Sequence, residues 1–175
     1  MMVAWWSLLG VVAVERCVEM VLSRRHAIWS FAQGGIEYGS AHYPYMVLLH
    51  TAFLVGCAVE PLVFDRPFLP PLGWTCLAIA AGCQALRWWC IRTLGKRWNT
   101  RVIVVPGLSA VTTGPYQYFR HPNYLAVIGE GLALPLIHSA WLTAIAFTLL
   151  NTVLLWVRIG VEDAALGRDA KGVRR

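Results

Sequence analysis

The sequence predicts an all-α fold, a membrane-embedded bundle of about five helices forming one domain over residues 1–175, with the last two helices in a tight hairpin. Three observations carry this expectation. Hydrophobic residues make up 58% of the chain and charged residues only 14%, against roughly 25% charged in an ordinary soluble domain. The apolar residues gather into runs close to the 20 or so needed to cross about 30 Å of hydrocarbon. The basic residues sort to alternate connections between those runs, a bias that membrane insertion produces.

Taken in order, Met2–Leu22 is apolar at first and then crossed by Glu15, Arg16 and Glu19. Glu15 and Glu19 share a helix face, and Arg16 can neutralise one of them, so a buried polar network is expected there. Tyr43–Phe64 forms the second run and contains His50, which reads first as a hydrogen-bonded interior histidine and second as a base. Leu69–Ile91 is the third, joined to the second by the turn Asp65-Arg66-Pro67. Pro122–Ile137 and Ala140–Ile159 are the fourth and fifth, separated only by His138-Ser139, and Pro122 suits the first turn of its helix.

Charge then assigns the sides. Arg24 and Arg25 fall in the first connection, and Arg92, Lys96, Arg97, Arg101 and Arg120 in the third. Arg158 ends the fifth run, with Arg168, Lys171, Arg174 and Arg175 beyond it, while the opposite side holds only Arg66. The N-terminus is therefore expected outside and the C-terminus in the cytoplasm, in a bacterial plasma membrane. Trp5, Trp6, Trp74 and Trp141 fall near the expected outer face, and Trp88, Trp89 and Trp156 near the inner one. The net charge of +6 is thus explained by membrane side, and a nucleic-acid partner is excluded by the lack of a basic stripe interleaved with aromatics.

Negative readings narrow the chemistry. The five cysteines lie in apolar segments without a C-x-x-C pair, so they read as packing residues, with no disulfide framework and no metal site. No Lys or Arg precedes the first apolar run, which argues against a cleaved signal peptide. "GGIEYG" lacks the strand–turn–helix setting of a nucleotide fingerprint.

The chemistry gathers in 92–124 and 156–166. "GPYQYFRHPNYL" puts Arg120 and His121 just before the fourth helix and Tyr124 just inside it. A helix N-terminus favours anionic ligand atoms, and an arginine fork suits a carboxylate or phosphate. Tyr116, Tyr118 and Tyr124 offer faces to a purine or a cation. Arg158 and Glu162 share a helix face, with Asp163 beside them. In a hairpin these two regions meet at one membrane surface. The cluster reads either as an interfacial anchor with a salt-bridge cap or as a site for a ligand bearing both charges. Trp98, Asn99 and Arg101, in a polar connection long enough to cover that site, read as lining a substrate entrance.

"GPYQYFRHPNYL", followed by "RIGVED" at 158–163, resembles the signature of the isoprenylcysteine carboxyl methyltransferase family. "VERCVEMVLSRRHA", "EYGSAHYPYMVLLHTAFL" and "RWWCIRTLGKRWNTRVIVVPG" are similar to one bacterial branch, the alkylresorcinol and alkylpyrone O-methyltransferases. The resemblance implies an integral membrane enzyme using S-adenosylmethionine, with Arg120, His121, Pro122 and Tyr124 of the R-H-P-x-Y pattern holding it together with Glu162 and Asp163. The family's second glutamate is replaced here by Asp163. It further implies a lipophilic acceptor drawn from the bilayer, most naturally an alkylresorcinol or alkylpyrone, with a prenylcysteine carboxylate or a lipid amine as alternatives.

Methyl transfer from a sulfonium needs alignment and no metal, while a phenolic acceptor gains from a base or an oxyanion stabiliser. His121, Glu130 and Arg158 are the candidate catalytic residues, although Glu130 equally suits a bridge to Arg87 or Arg16. A membrane reductase binding NADPH and a small transporter or assembly factor are the rival classes. The first would ask for a denser basic cluster, the second for intramembrane charges lining a path across the bilayer.

Overall fold

Five helices stand at the expected places, and each boundary follows from a local breaker or its absence. The computed structural model describes the backbone of residues 2–172 and the side chains of 2–167. Arg168, Lys171, Arg174 and Arg175 of the charge pattern therefore lie outside the described side chains. Helix α1 spans Met2–Ala32. It continues past the expected end at Leu22 because nothing breaks it before Gln33-Gly34, where Gly34 takes φ 78°. Arg24 and Arg25 are thus on a helix rather than in a loop, and the extension buries Ser23, Ala27 and Ser30 along one stripe.

Helix α2 spans Tyr43–Val63 and α3 spans Pro70–Leu94, ended by Gly95 at φ 54°. Arg92, expected in the third connection, is accordingly in α3. Helix α4 is Pro122–Leu136, and α5 runs from Trp141 to Gly172, well past the expected end at Ile159. Glu162 and Asp163 thus continue the helix that carries Arg158. Two three-residue strands, β1 (Ile36–Tyr38) and β2 (Val102–Val104), pair antiparallel with Glu37 opposite Ile103. Neither was expected.

The turns collect at the two ends of the bundle. At one end the His138 ring lies 5.6 Å from Trp5 and 6.1 Å from Phe68, and Ser139 Oγ donates to the Pro67 carbonyl at 2.8 Å. Trp5 is a packing residue there, 3% exposed, and not the interfacial anchor its position implied. Glu60, on α2, receives the backbone N–H groups of Leu142 and Thr143 at 3.1 and 2.7 Å and so caps α5 from another helix. Its negative charge also suits the positive end of that helix.

Between the ends, α4 packs against α3 and α5. Gly131 makes the second approach possible, since a Cβ there would come within 2.4 Å of the Phe147 ring. Phe147 in turn packs on Phe53 with ring centroids 4.2 Å apart, beside Leu134 and Ile137.

Two helices, Ser40–Val63 and Trp141–Gly167, are each long and apolar enough to cross a membrane, and most of each apolar stretch faces outward. Val55, Val59, Leu149, Val153 and Trp156 are all exposed, a surface that water would penalise by about 25 cal/mol per Å². Helix α4 has 15 residues, about 22 Å at 1.5 Å per residue, and does not span hydrocarbon unaided.

Candidate functional site

The end opposite the Trp5–His138 turn carries the polar chemistry. The chain enters α4 through Gly114, whose φ of 58° is left-handed. A Cβ there would lie 2.5 Å from Thr93 Oγ1, so glycine is required on both counts. Pro115 is buried, and Tyr116 is seated where burial pushes its phenol well above the ordinary range, beside the Cys90 thiol. Tyr116 therefore stays protonated and neutral. The turn delivers His121 to the N-terminus of α4, with Pro122 fully buried in its first turn.

Tyr124 is the hub. Its hydroxyl donates to the Glu162 carboxylate and accepts from Arg158 Nε at 2.8 Å. The Arg158 guanidinium also lies over the Tyr124 ring at 5.7 Å and reaches Met46 Sδ at 3.3 Å. The His121 ring stacks on Tyr124 with centroids 5.3 Å apart. His121 Nε2 is 3.3 Å from Asp163 Oδ1 without hydrogen-bond geometry, and Nδ1 is 3.8 Å from Glu162 Oε1. Arg120 reaches Asp163 at 3.4 Å from the rim, its side chain 82% exposed. The expected convergence of α4 and α5 is thus present in atomic detail.

Two cavities meet at this hub. The outer one, ≈ 600 Å³, is lined by Tyr116, Arg120, His121, Tyr124, Glu162 and Asp163, among others. Its roof comes from β2 and the following connection, and Trp98, Asn99 and Arg101, read from the sequence as lining a substrate entrance, line this cavity. The roof is tied down through Ser23, which bonds Asn99 Oδ1 at 2.8 Å and the Thr100 N–H at 3.0 Å. His26 Nδ1 donates to the Trp98 carbonyl at 2.8 Å, and Arg101 stacks 5.0 Å over Tyr43. The inner cavity, ≈ 360 Å³, lies among α1, α2, α4 and α5 and is largely apolar, with His42, Met46, His50 and Asn151 in its wall. Trp98, Asn99, Asn123, Tyr124 and Arg158 face both cavities.

Three expected residues stand apart, the first being Pro122, which is packed in the first turn of α4 and lines neither cavity. Tyr118 is 68% exposed and lines neither cavity. Glu130 also lines neither; it pairs with Arg87 and lies 3.7 Å from Arg16. Arg16 further holds Glu19 at 3.0 Å and Gln84 at 2.8 Å, and Arg87 Nε is 3.7 Å from Glu19. The result is a charge-balanced quartet tying α1, α3 and α4, the bridge that was the alternative reading of Glu130. Asn123, His42 and Met46 were missed. For Asn123 a signal existed, since it is the x of R-H-P-x-Y and its Oδ1 is buried without a partner.

The outer cavity suits a ligand of mixed charge. Its size is that of a small-molecule site, and it offers a carboxylate pair, a rim arginine and two buried polar atoms without partners, Asn123 Oδ1 and His121 Nε2. S-adenosylmethionine, with a ribose diol, a sulfonium and an amino-acid zwitterion, matches that donor set.

Comparison with known proteins agrees. The model of the isoprenylcysteine carboxyl methyltransferase (ICMT) family matches residues 75–168, and the chain belongs to that family. Its members are membrane-associated methyltransferases that use S-adenosylmethionine. The chain is 40% identical over 165 residues to YpbQ of Bacillus subtilis, itself uncharacterized, covering 93% of this chain and 96% of that one. It is also 28% identical over 154 residues to an uncharacterized protein of Haemophilus influenzae, covering 86% and 88% respectively.

Proposed function

We propose that this protein transfers a methyl group from S-adenosylmethionine to the oxygen of a long-chain lipophilic acceptor, an alkylresorcinol or alkylpyrone, at the cytoplasmic face of a bacterial plasma membrane. All five helices are embedded, with the N-terminus outside and the C-terminus inside. In that arrangement α4 reaches only part of the way and is completed by its turn with α5. The observation that carries this reading is the wall of Tyr124 and Arg158 shared by a polar outer cavity and a largely apolar inner one.

The outer cavity takes the cofactor, which supplies an electrophilic methyl on a sulfonium. Glu162 and Asp163 accept from the ribose diol or the α-ammonium, and Arg120 neutralises the α-carboxylate. Tyr116 presents a face that tolerates the sulfonium. Arg158 is anchored on Tyr124 and Met46, placed to stabilise negative charge developing on the acceptor oxygen. The inner cavity takes the acceptor's ring, and the tail runs out between α1 and α2 into lipid.

Calorimetry on detergent-purified protein tests the reading. Micromolar binding of S-adenosylmethionine but not NADPH is expected, weakened about tenfold or more by Glu162→Gln, the loss of a hydrogen bond to a charged group. Binding of NADPH alone would move the protein to the reductases.

A further inference from the structure

The inner cavity holds an imidazole for which the cofactor site has no use. We propose that His50 is the general base that takes the proton from the acceptor's hydroxyl, an assignment that rests on the methyltransferase reading above. His50 lies on α2 and lines the inner cavity. Its Nδ1 is 2.9 Å from the Met46 carbonyl oxygen. A carbonyl can only accept, so Nδ1 carries the hydrogen. In the neutral ring the lone pair is then on Nε2. Nε2 has no protein partner among the described residues and is not sealed by packing. The ring is steadied edge-on by Phe147, with centroids 5.2 Å apart at 88°.

Position matters as much as tautomer. Met46, one helical turn from His50, receives the Arg158 N–H at 3.3 Å, where the two cavities meet. His50 is therefore about 6 Å along α2 from the shared wall, on the side from which an acceptor arrives. The charged groups facing it are Arg16 from α1, Arg87 from α3 and Glu130 from α4. Glu19 of α1 and Arg158 of α5 line the same cavity, as does His42, one turn nearer the surface than Met46. The carboxylates of Glu19 and Glu130 are engaged by Arg16 and Arg87, which leaves His50 and His42 as the cavity's neutral bases. No hydrogen bond among the described residues fixes the tautomer of His42.

The step balances without a further reactant. The acceptor O–H bond breaks as its proton passes to His50 Nε2. The oxygen lone pair forms the new C–O bond while the C–S bond breaks, and its electrons neutralise the sulfonium. The imidazolium then returns its proton to water.

A long-chain alkyl 4-nitrophenol separates this role from packing, because its absorbance reports ionisation with no cofactor present. His50→Asn keeps a donor for the Met46 carbonyl and removes Nε2. Bound to the unaltered protein, the probe is expected to ionise at lower pH than in detergent alone, and His50→Asn removes most of that shift, leaving the part that Arg158 supplies.

Single-turnover methylation of an ordinary long-chain alkylphenol should fall about 100-fold in His50→Asn, while the pre-ionised nitrophenolate loses less than about threefold. Equal losses on both acceptors, an unchanged rate on the alkylphenol, or a nitrophenol shift undiminished in His50→Asn would each overturn the assignment. If S-adenosylmethionine fails to bind the unaltered protein, the methyltransferase reading falls, and the base falls with it even if the nitrophenol shift is seen.

Discussion

Two ionic clusters share helix α4 and differ in how far they open to solvent. The deeper one, Arg16, Glu19, Arg87 and Glu130, sets two cations against two carboxylates, with side chains between 6% and 19% exposed. The shallower one, built on Tyr124, grades from Arg158 at 7% exposed, through the Glu162 and Asp163 side chains at 30% and 37%, to Arg120 at 82%. It opens onto the outer cavity and the solvent beyond, whereas Arg16, Glu19 and Arg87 meet only the inner one. Both clusters keep buried polar atoms without hydrogen-bond partners, among them Arg16 Nε, Glu19 Oε1 and Arg87 Nε in the deeper and His121 Nε2 in the shallower. The difference teaches how to tell a structural ion cluster from a binding one: charge balance and enclosure mark the first, and a gradient of exposure running out to solvent marks the second.

The largest expected effect breaks the deeper cluster. Arg87→Met leaves Glu130 and Glu19 to share the single cation Arg16 among apolar helices, and removing one partner of a buried pair costs about 3–5 kcal/mol. Denaturant unfolding in micelles should register that loss. The double variant Arg87→Met with Glu130→Met should recover most of it, because an apolar pair of similar volume replaces the bridge. Losses that simply add would mean the two side chains stabilise the bundle independently, and the contrast with the Tyr124 cluster would blur.

Next comes the hub. Tyr124→Phe deletes one oxygen and with it the partner of both Arg158 Nε and Glu162. Hydrogen bonds to charged groups are worth about 1.5–3 kcal/mol, so calorimetry should show affinity for S-adenosylmethionine falling about tenfold or more. Because the site opens onto solvent, the unfolding midpoint should move far less than in Arg87→Met. A variant that unfolds early yet binds normally would reverse the roles given to the two clusters.

Much of this contrast was readable beforehand, for identifiable reasons. The R-H-P-x-Y residues and the Arg158–Glu162 spacing are local patterns on helix ends, and the hairpin between α4 and α5 forces them together. A bridge from Glu130 to Arg87 or Arg16 was one of two readings left open, since an ionisable residue in an apolar helix is either paired or functional. Residues contributed by α2 were not readable. His42, Met46 and His50 recur at four-residue spacing and so share a face, but nothing in that spacing says that the face opposes Arg158. Glu60 was invisible as a cap because it caps a helix some eighty residues further along. The β1–β2 pair joins segments of three residues each, too short to show a period.

The smallest effect tests the rim of the gradient. Arg120 is exposed and meets Asp163 at 3.4 Å, the kind of contact that typically contributes under about 1 kcal/mol. Arg120→Ala should therefore weaken S-adenosylmethionine binding by less than about fivefold at low ionic strength. Its distinguishing mark is salt. Near 1 M the screening length shrinks to about 3 Å, and the gap between Arg120→Ala and the unaltered protein should close, whereas the loss in Glu162→Gln should persist because that carboxylate acts through a direct hydrogen bond. A salt-insensitive loss of more than about tenfold in Arg120→Ala would mean that the guanidinium folds inward onto the ligand, moving Arg120 from the rim to the centre of the site.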